Sequence, residues 1–213
     1  MSSGIEIRAA KDNERGKVLE FLERNFFNEE PINKSYPSDD HSVEGEFLLS
    51  CLSHGNIILA IDSFNNQIAG LACFGEITKF YAQEGWDESE ITTNRTWRDI
   101  LKFMSHIEMK ANVCERFAVP KALHLHCVTA DKKYRGKGIG KLLFNECFKV
   151  AKSRHLHLVS ADCTSIYSIH IAEILGMECV STVTYDEYHE KLGYEIFKPI
   201  PPHFEIKTFI KRI

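Results

Sequence analysis

The sequence predicts an α/β fold: a mixed, mostly antiparallel twisted sheet with helices on both faces. Three observations carry this. Short apolar runs bounded by turn residues alternate with segments of helical periodicity along the whole chain. Two of these runs, Ile57 to Ile61 and Gln67 to Thr78, flank Phe64-Asn65-Asn66 and read as a β-hairpin. A third, Leu123 to Ala130, enters a glycine-rich turn from which an amphipathic helix leaves, the arrangement that leads to a parallel strand pair.

Taken in order, Ile5 to Ala9 alternate apolar and polar residues and predict a first strand, after which Asp12 can cap a helix. Val18, Leu19, Leu22 and Phe26 form that helix's core face, and Glu14, Lys17, Glu20 and Arg24 its charged face. Pro31 ends the pattern, because proline disfavours helical geometry in the residue before it, and presents Glu30 at a helix end beside aromatic rings. Ser42 can cap a second helix with an apolar stripe of Phe47, Leu48, Cys51 and Leu52, closed by Gly55. After the hairpin, residues 80 to 94 are polar and read as an irregular insert; a helical pattern returns from Arg95 to about Val113. Ala122 to Ala130 is the next strand, and the following helix repeats its apolar face at Ile139, Leu142, Leu143, Cys147, Val150 and Ala151. Leu156 to Cys163 predicts a strand, Thr164 to Leu175 a helix stopped by Gly176, and Glu178 to Tyr185 a strand. Phe204 to Ile213 is expected as the final strand after the rigid Pro199 to Pro202 segment.

The 213 residues are most simply one domain over 1–213. An apolar fraction of 44% and a charged fraction of 26% are those of a soluble globular chain. A net charge of −4 gives no global attraction to nucleic acid or to an acidic membrane, so neither is an expected partner. No apolar run approaches the roughly 20 residues that a membrane span requires. Seven cysteines lack any Cys-x-x-Cys spacing and read as reduced, mostly buried thiols; with no charged-then-apolar amino terminus, a cytoplasmic location is expected. None of the ten histidines sits in a recognised zinc spacing with cysteine or carboxylate support, so no metal is expected. A monomer is the simplest expectation.

Tyr134-Arg135-Gly136-Lys137-Gly138-Ile139-Gly140-Lys141 reads as an anion cradle. Alternating glycines permit positive φ and bring several N–H groups towards one point, and the emerging helix adds the positive end of its dipole. Lys132, Lys133, Arg135, Lys137 and Lys141 surround that point. A Walker loop would need glycine where Arg135 stands and Ser or Thr where Leu142 stands; a dinucleotide fingerprint would need glycine at Lys141. What remains is Arg-x-x-Gly-x-Gly between a strand and a helix. That pattern resembles the acyl-CoA loop of the GNAT superfamily of N-acetyltransferases, and the order of elements resembles the GNAT fold.

A narrower resemblance covers almost the whole chain. Phe26-Phe27-Asn28-Glu29-Glu30-Pro31-Ile32-Asn33, Thr164-Ser165-Ile166-Tyr167-Ser168 with Leu175-Gly176, and Pro201-Pro202-His203 resemble segments of the insect arylalkylamine N-acetyltransferases. The resemblance implies acetyl-CoA (coenzyme A) as cofactor, a small-molecule amine as substrate, and direct transfer in a ternary complex. It implies Glu30 as general base, and Thr164, Ser168 and His203 as further members of the catalytic set. It places Cys127 and Val128 beside the pantetheine arm, Arg135, Gly136, Lys137, Gly138, Ile139, Gly140 and Lys141 on the pyrophosphate, with Ser168 near the thiol. Phe26, Phe27, Glu30, Pro31 and Tyr36 fall to the amine side. The chemistry needs such a set: an amine of ordinary pKa about 10 is neutral in only about one molecule in a thousand at pH 7, a deficit of roughly 4 kcal/mol, so a base is wanted. Two departures stand out, Thr164 where the family commonly has serine and Met177 where it usually has phenylalanine.

From the residues themselves the alternatives stay open. Glu30 can be a solvated helix-end carboxylate with Glu29 its bland neighbour, and Thr164 and Ser168, one helical turn apart, can be simple caps. Either Tyr167 or Ser168 can protonate the leaving thiolate, and His203 can be a structural contact. Asp39 and Asp40 leave room for a polyamine, agmatine or histamine substrate, and a non-catalytic acyl-CoA-binding module is the remaining reading.

Overall fold

The structure, a computed structural model, describes residues 4–38 and 40–213. Seven strands, β1 (Ile5–Ala9), β2 (Ile57–Asp62), β3 (Gln67–Ile77), β4 (Ala122–Ala130), β5 (Leu158–Cys163), β6 (Glu178–Thr184) and β7 (Glu205–Arg212), form one sheet in the order β1-β2-β3-β4-β5-β7-β6. Every neighbouring pair is antiparallel except β4 and β5. The helices are α1 (Arg15–Leu22), α2 (Pro31–Ser35), α3 (Ser42–Ser50), α4 (Tyr81–Ile91), α5 (Arg95–Ala111), α6 (Val113–Arg116), α7 (Ile139–Ser153), α8 (Ile166–Ile174) and α9 (Tyr185–Leu192). Among the described residues no helix is long and apolar enough to cross a membrane.

Both faces of the sheet are covered, which is why the central strands are nearly all apolar rather than alternating. Along β2, Ile58 and Ala60 join the core beneath α7 and α8, whereas Ile57, Leu59 and Ile61 join the core beneath α1 and α3. A third core gathers Trp97, Ile100, Phe103 and Ile107 of α5 with Tyr185 and Tyr188 of α9, Phe197, Ile32 and Tyr36. That core anchors α2 and the segment after α9, both of which lead towards the site described below.

Several expectations need correction. Residues 80–94 are not irregular, since α4 fills most of them. Its composition hides it because α4 has no broad apolar stripe; polar contacts to α5 hold it, with Trp97 Nε1 donating to Glu88 at 2.8 Å and Lys102 paired with Glu90 at 2.8 Å. The short α2 and the polar α9 lie where no periodicity could be read; α2 starts with proline at its first position, where the missing N–H costs nothing. Asp12 lies inside a 3-10 turn (Asp12–Glu14) rather than at a helix cap, and Ser42 is the first residue of α3, after His41. α1 widens into a π-helical stretch over Glu23–Phe27 before the chain reaches Glu30.

Candidate functional site

The site is built on a split in the sheet. β4 and β5 pair only from Leu123↔Val159 to Leu125↔Ala161, so from His126 onwards one edge of β4 is left without a neighbouring strand. A bulge sits at the same place. Cys73 of β3 opposes Cys127 while the next residue, Phe74, opposes Leu125, which leaves His126 as the extra residue. The bulge reverses the side-chain parity of β4: Leu123 and Leu125 face the core under α7, but Cys127 faces the core under α1, and half-buried Val128 packs on the α7 side.

Glu30, far from β4 in sequence, lies close enough for its charge to act on the Cys127 thiol, and Thr164, just past the end of β5, acts on Glu30 in turn. Glu30 is the N-cap of α2, and its Oε2 accepts the Asn33 N–H at 2.7 Å. The residue keeps partial exposure, but its Oε1 has almost none and no hydrogen-bond partner among the described residues. Burial therefore dominates its titration and pushes its pKa up to about 7, with the negative charge of Glu44 adding to the rise and the Asn33 N–H opposing it. The Thr164 hydroxyl comes close enough to favour the carboxylate without forming a well-aligned bond to Oε1. Glu30 is thus not a solvated helix-end carboxylate.

The glycine loop follows β4 through a short turn (Lys132–Tyr134) capped by Asp131, whose Oδ1 accepts the Lys133 N–H at 2.9 Å. Tyr134 pins the turn to the β2–β3 hairpin by donating its hydroxyl to Asp62 at 2.6 Å. Gly136 and Gly138 have φ of 74° and 79°, but Gly140 is already helical, so only two of the three glycines serve by positive φ. The third lies where α7 packs closely on α8: a Cβ on Gly140 would lie 2.7 Å from Ile171 Cδ1, the tip of a side chain that can give way. The N–H groups of Gly136, Gly138, Ile139, Gly140 and Lys141 find no acceptor among the described residues. A row of unpaired amides at the start of a 15-residue helix suits a pyrophosphate group. Arg135 and Lys132 both pair with Glu29, at 3.5 and 2.6 Å. Glu29 is therefore no bland neighbour; it ties the end of the π-helical stretch to the loop. If the loop holds acyl-CoA as its resemblance implies, a Gly138→Val substitution is expected to raise the acetyl-CoA KM about tenfold or more, because a β-branched residue at this φ costs roughly 1–3 kcal/mol or shifts the loop. Steady-state kinetics with acetyl-CoA as the varied substrate measure it; an unchanged KM contradicts the assignment of the loop.

Beyond the split, Thr164 and Ser168 do not share one helix face, because α8 begins only at Ile166 with Ser165 as its N-cap. Ser165 Oγ accepts the Ser168 N–H at 3.1 Å and Ser168 Oγ accepts the Ser165 N–H at 3.2 Å, a reciprocal capping box. Ser168 thus has a capping task of its own. Tyr167 is 67% exposed, and its ring meets that of His203 at 5.9 Å, edge on. His203 Nδ1 accepts the Ile166 N–H at 3.3 Å, so this histidine helps to close the start of α8.

On the amine side, Pro31 and Phe27 are buried and Phe26 is half-buried with its ring 5.6 Å from that of Phe27. Tyr36 is buried in the third core and donates its hydroxyl to Asp99 at 2.6 Å; burial, aided by that carboxylate, pushes its pKa up to about 12. A cleft of about 300 Å³ runs beside α2, lined by Phe27, Asn33, Lys34, Tyr36 and His41 among others, and His41 stacks on Phe27 at 5.2 Å. Glu30 does not line it. Asp40 is exposed and engaged with Ser42 and Asn94, while Asp39 lies outside the described residues.

Two neighbours of Glu30 escaped sequence reasoning. Glu44 sits between His41 at 3.3 Å and Asn33 at 3.1 Å, and the buried Tyr185 hydroxyl has no well-formed partner among the described residues. Both belong to elements remote in sequence from Glu30, and neither carries a motif.

Comparison with known proteins bears on the family and the fold. The family model described as the acetyltransferase (GNAT) family matches residues 18–177. A mosquito arylalkylamine N-acetyltransferase-like 5b structure is 33% identical, covering 98% of this chain and all of its own, with a TM-score of 0.94. A Drosophila melanogaster polyamine N-acetyltransferase that forms N-acetylagmatine is 27% identical over 98% of this chain and all of its own, with a TM-score of 0.92. An apo agmatine N-acetyltransferase mutant is 26% identical over 99% of this chain and all of its own, with a TM-score of 0.93. No curated protein matches significantly.

Proposed function

The chain belongs to the GNAT family of acetyltransferases, and from that premise we propose that it acetylates small arylalkylamines, with acetyl-CoA as donor and Glu30 as general base. The observation that carries this is the Glu30 carboxylate: buried, short of partners at Oε1, and raised to a pKa of about 7 where the sheet splits. A base poised near the working pH combines a useful fraction of carboxylate with enough basicity to take a proton.

Acetyl-CoA, when bound, supplies a thioester-activated acetyl group. The residues around it divide the remaining work. The unpaired amides from Gly136 to Lys141 hold the pyrophosphate, with Lys137 and Lys141 exposed beside them. Arg135 is released to the phosphates to the extent that Glu29 yields it. The free edge of β4 at Cys127 and Val128 receives an extended amide-bearing chain as an added strand would be received. Glu30 takes the proton of the amine, and Thr164 steadies the carboxylate. Ser168 and Tyr167 sit at the start of α8, where a proton for the leaving thiolate is wanted, and His203 orients that helix start. The amine's aromatic ring is assigned to the cleft beside Phe27, His41 and Tyr36. The seven cysteines are free and six of them are buried, which is compatible with a reducing setting.

Glu44 favours a second reading, an agmatine or polyamine substrate. It lies close enough to Glu30 to raise that pKa, and a second carboxylate there attracts a second positive charge. Release of free thiol from acetyl-CoA against tyramine, dopamine, serotonin, histamine, agmatine and spermidine separates the two. Turnover led by the aromatic amines is the expected result; turnover confined to agmatine or spermidine overturns the aryl assignment, and no release with any amine overturns small-amine acetylation.

A further inference from the structure

On the opposite side of β4's bulge from the glycine loop, α5, β4 and β5 bring three ligand-type side chains together in the interior. We propose that Glu108, His124 and Asp162 form a buried site for a divalent cation of the zinc class, which ties α5 to β4 and β5. Their ligand atoms all lie within 4.8 Å of one another. The Glu108 and His124 side chains are 5% and 3% exposed, and Glu108 Oε1 stands 3.4 Å from His124 Nδ1.

Two of the oxygens have no conventional donor. Glu108 Oε1 and Asp162 Oδ2 accept no hydrogen bond from an N–H or hydroxyl among the described residues, and the two carboxyl groups stand within hydrogen-bonding reach of each other, where a shared proton or a cation is needed to hold them together. Orphaned carboxylate oxygens in a protein interior are expensive, and buried charges are otherwise found paired or on metals. The second oxygen of Asp162 is held in place, because Thr208 Oγ1 donates to Oδ1 at 2.7 Å and leaves Oδ2 free to face the cluster. Ser160 Oγ hydrogen-bonds His124 Nδ1 at 2.9 Å, and an ion held by Nδ1 takes the place of that bond.

The donor set defines the ion. Two carboxylates match a dipositive charge, and an imidazole with carboxylates suits zinc, whereas magnesium and calcium favour all-oxygen surroundings. A recess of about 10 Å³ at the end of β3, lined by Tyr81, Glu108 and Asn112 among others, brings the surface close to Glu108. None of the three ligands belongs to the set assigned to acetyl transfer, so the site is read as structural. Its ligands come from three separate elements, which is why no local spacing reveals it.

The test uses the full chain, stripped with a chelator and dialysed against Zn²⁺, with bound metal counted per chain. One ion per chain and a melting temperature raised by a few degrees are expected. Asp162→Asn, which keeps shape and removes charge, is expected to lower zinc affinity by more than about a hundredfold, and Thr208→Val by roughly 10- to 100-fold. The proposal is overturned by a folded, stripped protein that takes up no stoichiometric zinc, or by variants that keep full affinity, which would place the ion on exposed histidines. Should the variants fail to fold, Co²⁺ loaded into the unaltered chain decides: a four-coordinate nitrogen–oxygen spectrum supports the site, and the spectrum of hydrated Co²⁺ overturns it.

Discussion

Glu30→Gln is expected to lower kcat/KM for amine acetylation by about 10²- to 10⁴-fold, the range over which a positioned general base contributes. The amide keeps the size of the side chain and an oxygen for the Asn33 N–H, so α2 should remain capped. The pH profile gives the sharper reading. With a pKa of about 7, Glu30 is increasingly deprotonated as pH rises, so kcat/KM of the parent enzyme should climb through pH 7 and level off above it. The variant should lose that limb. Stability runs the opposite way: the folded state retains a proton between about 4.5 and 7 that the unfolded chain has released, so burial of this group costs stability as pH rises through that window. Glu30→Gln removes the cost, and its melting temperature relative to the parent should be higher at pH 8 than at pH 5. A variant that retains full activity with an unaltered pH limb would exclude Glu30 as the base.

Phe103→Ala is expected to destabilise the fold by about 3–5 kcal/mol, the usual cost of emptying a fully buried phenylalanine site. Phe103 has no exposed surface, and its ring lies 4.5 Å from that of Tyr188, 4.8 Å from Phe197 and 5.3 Å from Tyr185. Those rings belong to α9 and the chain leading to His203, so the cavity loosens the support of the site rather than its chemistry. Urea denaturation followed by circular dichroism measures the loss, and a change below about 1 kcal/mol would mean that the aromatic cluster collapses to fill the space. At temperatures where the variant remains folded, the kcat loss should be far smaller than for Glu30→Gln.

Much of the architecture is readable locally. Strand ends at Ala122, Ala130 and Cys163 and the stop at Gly176, where φ is 63°, follow from apolar run length and turn chemistry, which act over a few residues. α7 was legible for the same reason, as one apolar face, although Leu142, read as part of that face, is exposed. α4 and α9 were not, because polar contacts and aromatic packing to α5 hold them, and such partners lie outside any sequence window. In the site, the glycine loop was legible as an anion cradle, yet that Gly136 and Gly138 take positive φ while Gly140 is helical and faces Ile171, 31 positions on, is set by where α7 and α8 pack.

The sequence by itself determined a mixed α/β fold, a phosphate-type loop between β4 and α7, and an acidic residue before Pro31 in a segment of the acetyltransferase kind. Periodicity, glycine placement and proline restrictions are properties of neighbouring residues. Only the tertiary structure decided that the bulge at His126 and the parting of β4 from β5 open the sheet, that one carboxylate oxygen of Glu30 is buried within reach of Cys127 on β4, and that Glu108, His124 and Asp162 meet. Register, burial and the dielectric surroundings of a carboxylate are set by residues far apart in the chain, and no local pattern encodes them.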